Sequence, residues 1–165
     1  MRHASAQSRT VVPAGIRPAR SLAITADSRT GAAYIARRGV EVRVLTNGAR
    51  SDVSTTWLAG RSRYETLLSA GVRIYEYEPT TLHAKTFVAD GLWTAIGTAN
   101  FDNRSLAYNT EVALTVRDAT IGATMDSLFL ADLQYAEEIR LAAFRRRSRW
   151  IHLRERAASV LADLL

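Results

Sequence analysis

A chain of 165 residues and 18.2 kDa is long enough for one domain with a real core. It has 47 % apolar and 23 % charged residues and no cysteine, which excludes disulfides and thiolate metal sites. The formal net charge of +6 and pI near 10.3 point to an anionic partner, either lipid headgroups or nucleic acid. Its three histidines lack supporting carboxylate spacing, so neither a metal nor another cofactor is expected. No apolar run approaches the roughly 18 residues that span a bilayer.

In chain order, residues 1–20 carry Arg, Ser and Pro but no acid and no signal-peptide apolar core, and are expected to form a disordered N-terminal segment. SLAIT (21–25) is a short strand. A helix is predicted from Ser28 to Arg38, closed by Gly39, and VEVRVLT (40–46) alternates as a strand. Asn47-Gly48 turns the chain into a helix from about Thr55 to Ala70, closed by Gly71, and VRIYEY (72–77) follows as a strand. This alternation argues for α/β layers. After a hairpin at 83–97 and a polar turn, 109–118 reads as a strand with Val112, Leu114 and Val116 on one side and Asn109, Glu111 and Ala113 on the other. Residues 119–139 read as one amphipathic helix with Ile121, Met125, Leu128, Leu133 and Ile139 on its apolar face. The organisation expected is therefore a domain over 21–143 and a basic amphipathic helix over 144–165. In that tail, FRRRSRW (144–150) sets four arginines between two aromatics. It suits an anionic membrane surface, or a helix packed on the domain with its arginines solvated.

The stretch 83–100, HAKTFVADGLWTAIGTAN, places His83, Lys85, Asp90, Gly97, Thr98 and Asn100 in the order H-x-K-x4-D-x6-G-[ST]-x-N. HAKTFVA alternates up to Asp90-Gly91, a pair that favours a type I′ hairpin turn, and LWTAIG is the return strand. With Asp90 and Gly91 as the whole loop, Ala89 faces Leu92 and Thr98 faces His83, with Lys85 on the same sheet face and Asn100 continuing it. Imidazole, ammonium, hydroxyl and amide then converge on one patch. Such a patch suits phosphoryl transfer: a nitrogen nucleophile or proton carrier beside donors for phosphate oxygens. Of the 22 basic residues, Lys85 is the single lysine. A compact ammonium kept where the chain otherwise uses arginine implies a site-specific job. Asp90 also has a plainer role as the turn residue.

At these positions the sequence resembles the phospholipase D superfamily, whose HKD signature matches all six, with Thr98 where Ser is commoner. SDVSTTWLAGRSRYETLLSAGVRIYEYEPTTLHAKTFVADG and GTANFDNRSLAYNTEVAL look like the C-terminal half of a bacterial cardiolipin synthase. Against that pattern the strand before residue 28 looks abbreviated. The resemblance implies a phospholipase D-like layered sheet flanked by helices, present as a single HKD half-domain. It implies a catalytic set of His83, Lys85, Asp90, Asn100 and Glu111, with Lys85, Thr98 and Asn100 on the substrate phosphate and Glu111 orienting His83. The chemistry implied is metal-free exchange through a phosphohistidine. That route needs two histidines, and neither His3 nor His152 begins a second motif. A homodimer or a missing half would supply the other. Three functions follow as expectations: a cardiolipin synthase-type phosphatidyl transferase acting on an anionic phospholipid of phosphatidylglycerol type, cytoplasmic and peripheral at the inner face of the cell membrane; a homodimeric nuclease; or a non-catalytic fragment.

Overall fold

A computed structural model describes residues 20–25, 31–50, 54–98 and 111–148, and residues 150, 151, 154, 155 and 158 of the terminal segment. Among them seven strands form one mixed sheet: β1 (Ser21–Thr25), β2 (Glu41–Asn47), β3 (Arg73–Tyr77), β4 (Thr86–Ala89), β5 (Trp93–Gly97), β6 (Ala113–Arg117) and β7 (Ala136–Ile139), in the order β6-β5-β4-β1-β2-β3-β7. β1, β2 and β3 run parallel, joined by crossovers that carry α1 (Ala32–Arg37), α2 (Ser54–Arg61) and α3 (Tyr64–Ser69). The remaining neighbours pair antiparallel.

The period-2 alternation of the strands fixes the layers. Leu22, Ile24, Val42, Val44 and Ile74 turn to one face, where Ala32 of α1, Tyr64 and Leu67 of α3 and Phe144 of α5 (Leu141–Arg145) cover them. Leu45 and Tyr75 turn to the other face, against Phe129 and Leu133 of α4 (Ala119–Leu133). Each aliphatic side chain removed from water in this way contributes about 1.5–3 kcal/mol. The expected α/β architecture is the observed one.

Three expectations are corrected. The helix predicted over 55–70 is broken at Ser62-Arg63: Arg63 N donates to Gly60 O at 3.3 Å and the Ser62 hydroxyl to Ala59 O at 2.6 Å, tightening the last turn of α2. The helix predicted over 119–139 stops at Leu133, and 136–139 forms the edge strand β7 on β3. In α4, Phe129 and Gly122 are buried, whereas Ile121 and Leu128 are 41 % and 55 % exposed. The pairing of β4 with β5 is also shifted. Asp90 and Gly91 take positive φ of 54° and 59°, as the turn demands, and Leu92 N donates to Ala89 O at 3.0 Å. Leu92 is nevertheless an extra residue, its carbonyl accepting Asp118 N–H at 3.0 Å, so Ala89 pairs with Trp93.

The expected segment 1–20 lies outside the described residues except for Arg20. In the terminal segment Phe144 and Glu155 are buried and Trp150 is exposed. Among the described residues no helix is long and apolar enough to cross a membrane.

Candidate active site

The carboxyl ends of the parallel strands, at Thr25, Asn47 and Tyr77, lie at one edge of the sheet. β4 pairs antiparallel with β1, Thr86 facing Thr25, so the residues just before β4 arrive at that same edge. β5 ends there at Gly97 and β6 begins there at Ala113. His83, Lys85, Thr98 and Glu111 are thereby gathered at the strand ends, where open α/β sheets bind ligands.

Residues 81–85 belong to no helix or strand. Lys85 is only 8 % exposed, and its Nζ donates to the backbone oxygen of His83 at 2.9 Å. His83 itself is exposed to solvent. Gly97 N donates to Lys85 O at 3.1 Å, so Gly97, rather than a residue one position away, faces Lys85. The predicted pairing of Thr98 with His83 is thus off by one, because the prediction counted Leu92 as the first residue of the return strand whereas it belongs to the turn. Thr98 instead joins the start of β6. Its N–H donates to Val112 O at 2.9 Å, its hydroxyl accepts Val112 N–H at 3.1 Å, and that hydroxyl donates to Glu111 Oε2 at 2.5 Å. Lys85 is thus brought to His83 and Thr98 to Glu111. Asn100 lies outside the described residues.

Asp90 is placed elsewhere. It sits in the hairpin turn at the far end of β4, about 16 Å along the strand from Lys85. Its Oδ1 accepts from Arg20 N at 2.7 Å, Ser21 N at 2.8 Å and the Ser21 hydroxyl at 3.3 Å. Partial burial pushes its carboxyl up, but these donors and the Arg20 charge outweigh that and hold it below the ordinary aspartate value. Its assignment to the catalytic set is corrected on position: it ties the hairpin turn to the start of β1.

Sequence reasoning missed a buried charge network. Glu76, at 3 % exposure, accepts from Arg61 at 2.6 and 2.7 Å, from the Tyr64 hydroxyl at 2.9 Å and from Trp57 Nε1 at 3.1 Å. Arg61 Nε reaches on to Glu155 at 3.3 Å, and Arg147 pairs with both oxygens of Glu155. Burial pushes the Glu76 carboxyl above the usual glutamate value, against the pull of Arg61 and the Tyr64 and Trp57 donors. The signal was present: alternation over 72–77 puts Glu76 on the face of Val72 and Ile74. Among the described residues no three His, Asp or Glu side chains are placed to hold a metal ion.

Comparison with known proteins bears on this arrangement. The family model described as cardiolipin synthase, PLD-like domain, matches residues 29–133. A cardiolipin synthase of Clostridium perfringens is 39 % identical over 110 residues, which cover 67 % of this chain and 23 % of that protein. One from Geobacillus thermodenitrificans is 38 % identical over 141 residues, covering 84 % and 28 %. The chain therefore spans about a quarter of the length of these curated relatives. Among solved structures, the phospholipase D family member Nuc from Salmonella typhimurium superposes with a TM-score of 0.63 at 16 % identity, over 74 % of this chain and 84 % of that one. Phosphatidylserine synthase from Haemophilus influenzae superposes at 0.61 with 11 % identity, over 87 % and 40 %. These two likenesses concern the fold.

Proposed function

We propose a function from one premise: this chain belongs to the family of cardiolipin synthase, PLD-like domains. It is a phosphodiester-exchanging enzyme of phospholipase D type that transfers a phosphatidyl group between phospholipids. The observation that carries this reading is the chain's single lysine, buried at the carboxyl ends of the strands and bonded to the backbone of His83. In this reading His83, Lys85 and Asp90 form the HKD signature.

One histidine nitrogen attacks phosphorus as the bond to the leaving oxygen breaks, and a second histidine gives that oxygen its proton. An acceptor alcohol then loses its proton to the second histidine, and its oxygen displaces the first from phosphorus. The Lys85 ammonium and the Asn100 amide hold the non-bridging oxygens as charge develops, while the one proton of the Thr98 hydroxyl stays hydrogen-bonded to Glu111. Glu111, fixed by Thr98, receives the ring N–H of His83 and sets its tautomer. By position His83 is the acid/base partner, and a symmetric pair allows either copy to attack.

The second histidine comes from a second copy related by a two-fold axis, or from the other half of a longer protein. Support for a partner at this edge is apolar exposure beside the site: Val112 is 71 %, Leu114 63 % and Ile96 41 % exposed. The substrate is an anionic phospholipid of phosphatidylglycerol type, met at the inner face of the cell membrane by a peripherally bound cytoplasmic chain. Exposed Trp150 and Arg154 in the basic tail favour that setting. The net charge of +6 favours a second reading, a nuclease held by non-specific phosphate contacts.

The test is incubation with phosphatidylglycerol vesicles and, separately, with DNA, each in the presence of chelator, with products read by mass spectrometry. Diphosphatidylglycerol or phosphatidic acid, absent with His83→Ala, supports the first reading. Cleaved DNA alone supports the second, and no product from either overturns both for this chain acting by itself.

A further inference from the structure

His83 stands in a segment, residues 78–85, that contains no helix or strand. Its backbone is therefore held only by individual contacts. One lies at the far end, where Gly97 N meets Lys85 O at 3.1 Å. Another lies immediately before the histidine, where Asn47 Oδ1, at the end of β2, accepts the N–H of Leu82 at 2.5 Å. The Leu82 side chain packs beside Leu45 and Tyr75.

The neighbouring Gly48 grips the last residue of β3, just before the segment begins. Its N–H donates to Tyr77 O at 3.0 Å, and a Cβ there would meet Tyr77 O at 2.6 Å and Glu78 Oε1 at 2.8 Å. Only a residue without a side chain lets β2 end so close to the exit of β3. Asn47-Gly48 therefore does more than turn the chain. It fastens the end of β3, from which the segment leaves, through Gly48 and the residue before His83 through Asn47.

We propose that Asn47 is a positioning residue for His83: its carboxamide oxygen fixes Leu82 N–H and thereby aims the exposed imidazole at the edge where Lys85 is buried. This rests on the reading of His83 as a reacting group. A histidine in an untethered segment would sample orientations that miss phosphorus. Loss of one ordinary hydrogen bond would release it about tenfold more often.

The test compares Asn47→Leu, which keeps volume without an acceptor, Asn47→Ala, which relieves any strain Leu introduces, and Asn47→Asp, which keeps the acceptor oxygen. Amide hydrogen exchange at Leu82 should quicken about tenfold in Asn47→Leu and Asn47→Ala and stay near wild type in Asn47→Asp, with exchange in β2 and β3 unchanged. The ring Cε1–H resonance of His83 should move in the first two variants only. With a chromogenic phosphodiester, kcat should fall about tenfold in those two while KM stays within about twofold. Unchanged Leu82 exchange in both Leu and Ala variants overturns the tether. Faster exchange with an unmoved His83 resonance, or with unchanged kcat, overturns the positioning role. Should the wild type turn over no diester, the functional reading fails, and the exchange and resonance arms still decide whether Asn47 places the histidine.

Discussion

The hydroxyl of Thr98 donates to Glu111 Oε2 at 2.5 Å while accepting the N–H of Val112 at 3.1 Å. One side chain thus closes the return strand of the hairpin onto β6 and holds a carboxylate at the candidate site. Thr98→Val keeps the shape and deletes both bonds, whereas Thr98→Ser keeps them. Urea unfolding should show a loss of about 1 kcal/mol for Val and less than about 0.5 kcal/mol for Ser. Equal stability of the two variants would contradict the role given to the hydroxyl.

Lys85 is the second point of test. It is buried, and its Nζ donates to the His83 backbone oxygen. Lys85→Arg puts a planar fork there and Lys85→Met removes the charge. Both should fold, by circular dichroism, and both should lose at least about 100-fold in diester turnover. An Arg variant with most of the activity would remove Lys85 from the phosphate-binding set.

The network around Glu76 predicts a pH-dependent penalty. Arg61→Ala leaves Glu76 and Glu155 buried without their shared cation, and should cost about 3–5 kcal/mol near pH 7, a large part of a domain's stability. The sign follows from Glu76, whose folded-state value is already raised by burial and is pulled down by Arg61. Removing Arg61 raises it further. A raised carboxyl binds more protons folded than unfolded, so stability falls as pH rises from the unfolded value through the folded one. The deficit of Arg61→Ala relative to wild type should therefore shrink as pH is lowered toward 4.5, read by denaturant unfolding across that range. A deficit that grows instead would contradict the assignment.

Gly122 marks where α4 meets the hairpin turn. A Cβ there would lie 2.1 Å from Gly91 O and 2.8 Å from Leu92 N, both backbone atoms that cannot rotate aside. Gly122→Ala should destabilise by about 1–3 kcal/mol despite alanine's better helix propensity. A thermal midpoint equal to or above wild type would show that the turn yields freely.

The parallel core was legible because β1, β2 and β3 announce themselves by alternation and by the glycines that close the helices between them. The hairpin turn was legible at Asp90-Gly91, but its register was not. Only the third strand, through Asp118 N on Leu92 O, makes Leu92 the extra residue, and no local pattern encodes that contact. β7 was read as helix because 134–139 lacks a breaker; its pairing with β3 is a tertiary effect. At the site, proximity of Lys85 to His83 was readable from their spacing. Asp90 was drawn into the catalytic set by motif order, although its distance along β4 was countable from the sequence. Alternation placed Glu76 on a buried face, but its pairing with Arg61 was not legible, because a buried ion pair joins residues from separate elements.

The central claim is that this site works with two histidines, one from each of two motif-bearing surfaces. The most direct measurement mixes wild-type and His83→Ala chains in varying ratio at fixed total concentration, with chelator present, and follows phosphatidylglycerol turnover. If a second copy completes the site, mixed pairs are dead, and the rate per wild-type chain falls in proportion to the wild-type fraction. A rate per wild-type chain that stays constant across the series would mean that one His83 suffices, contradicting the two-histidine account.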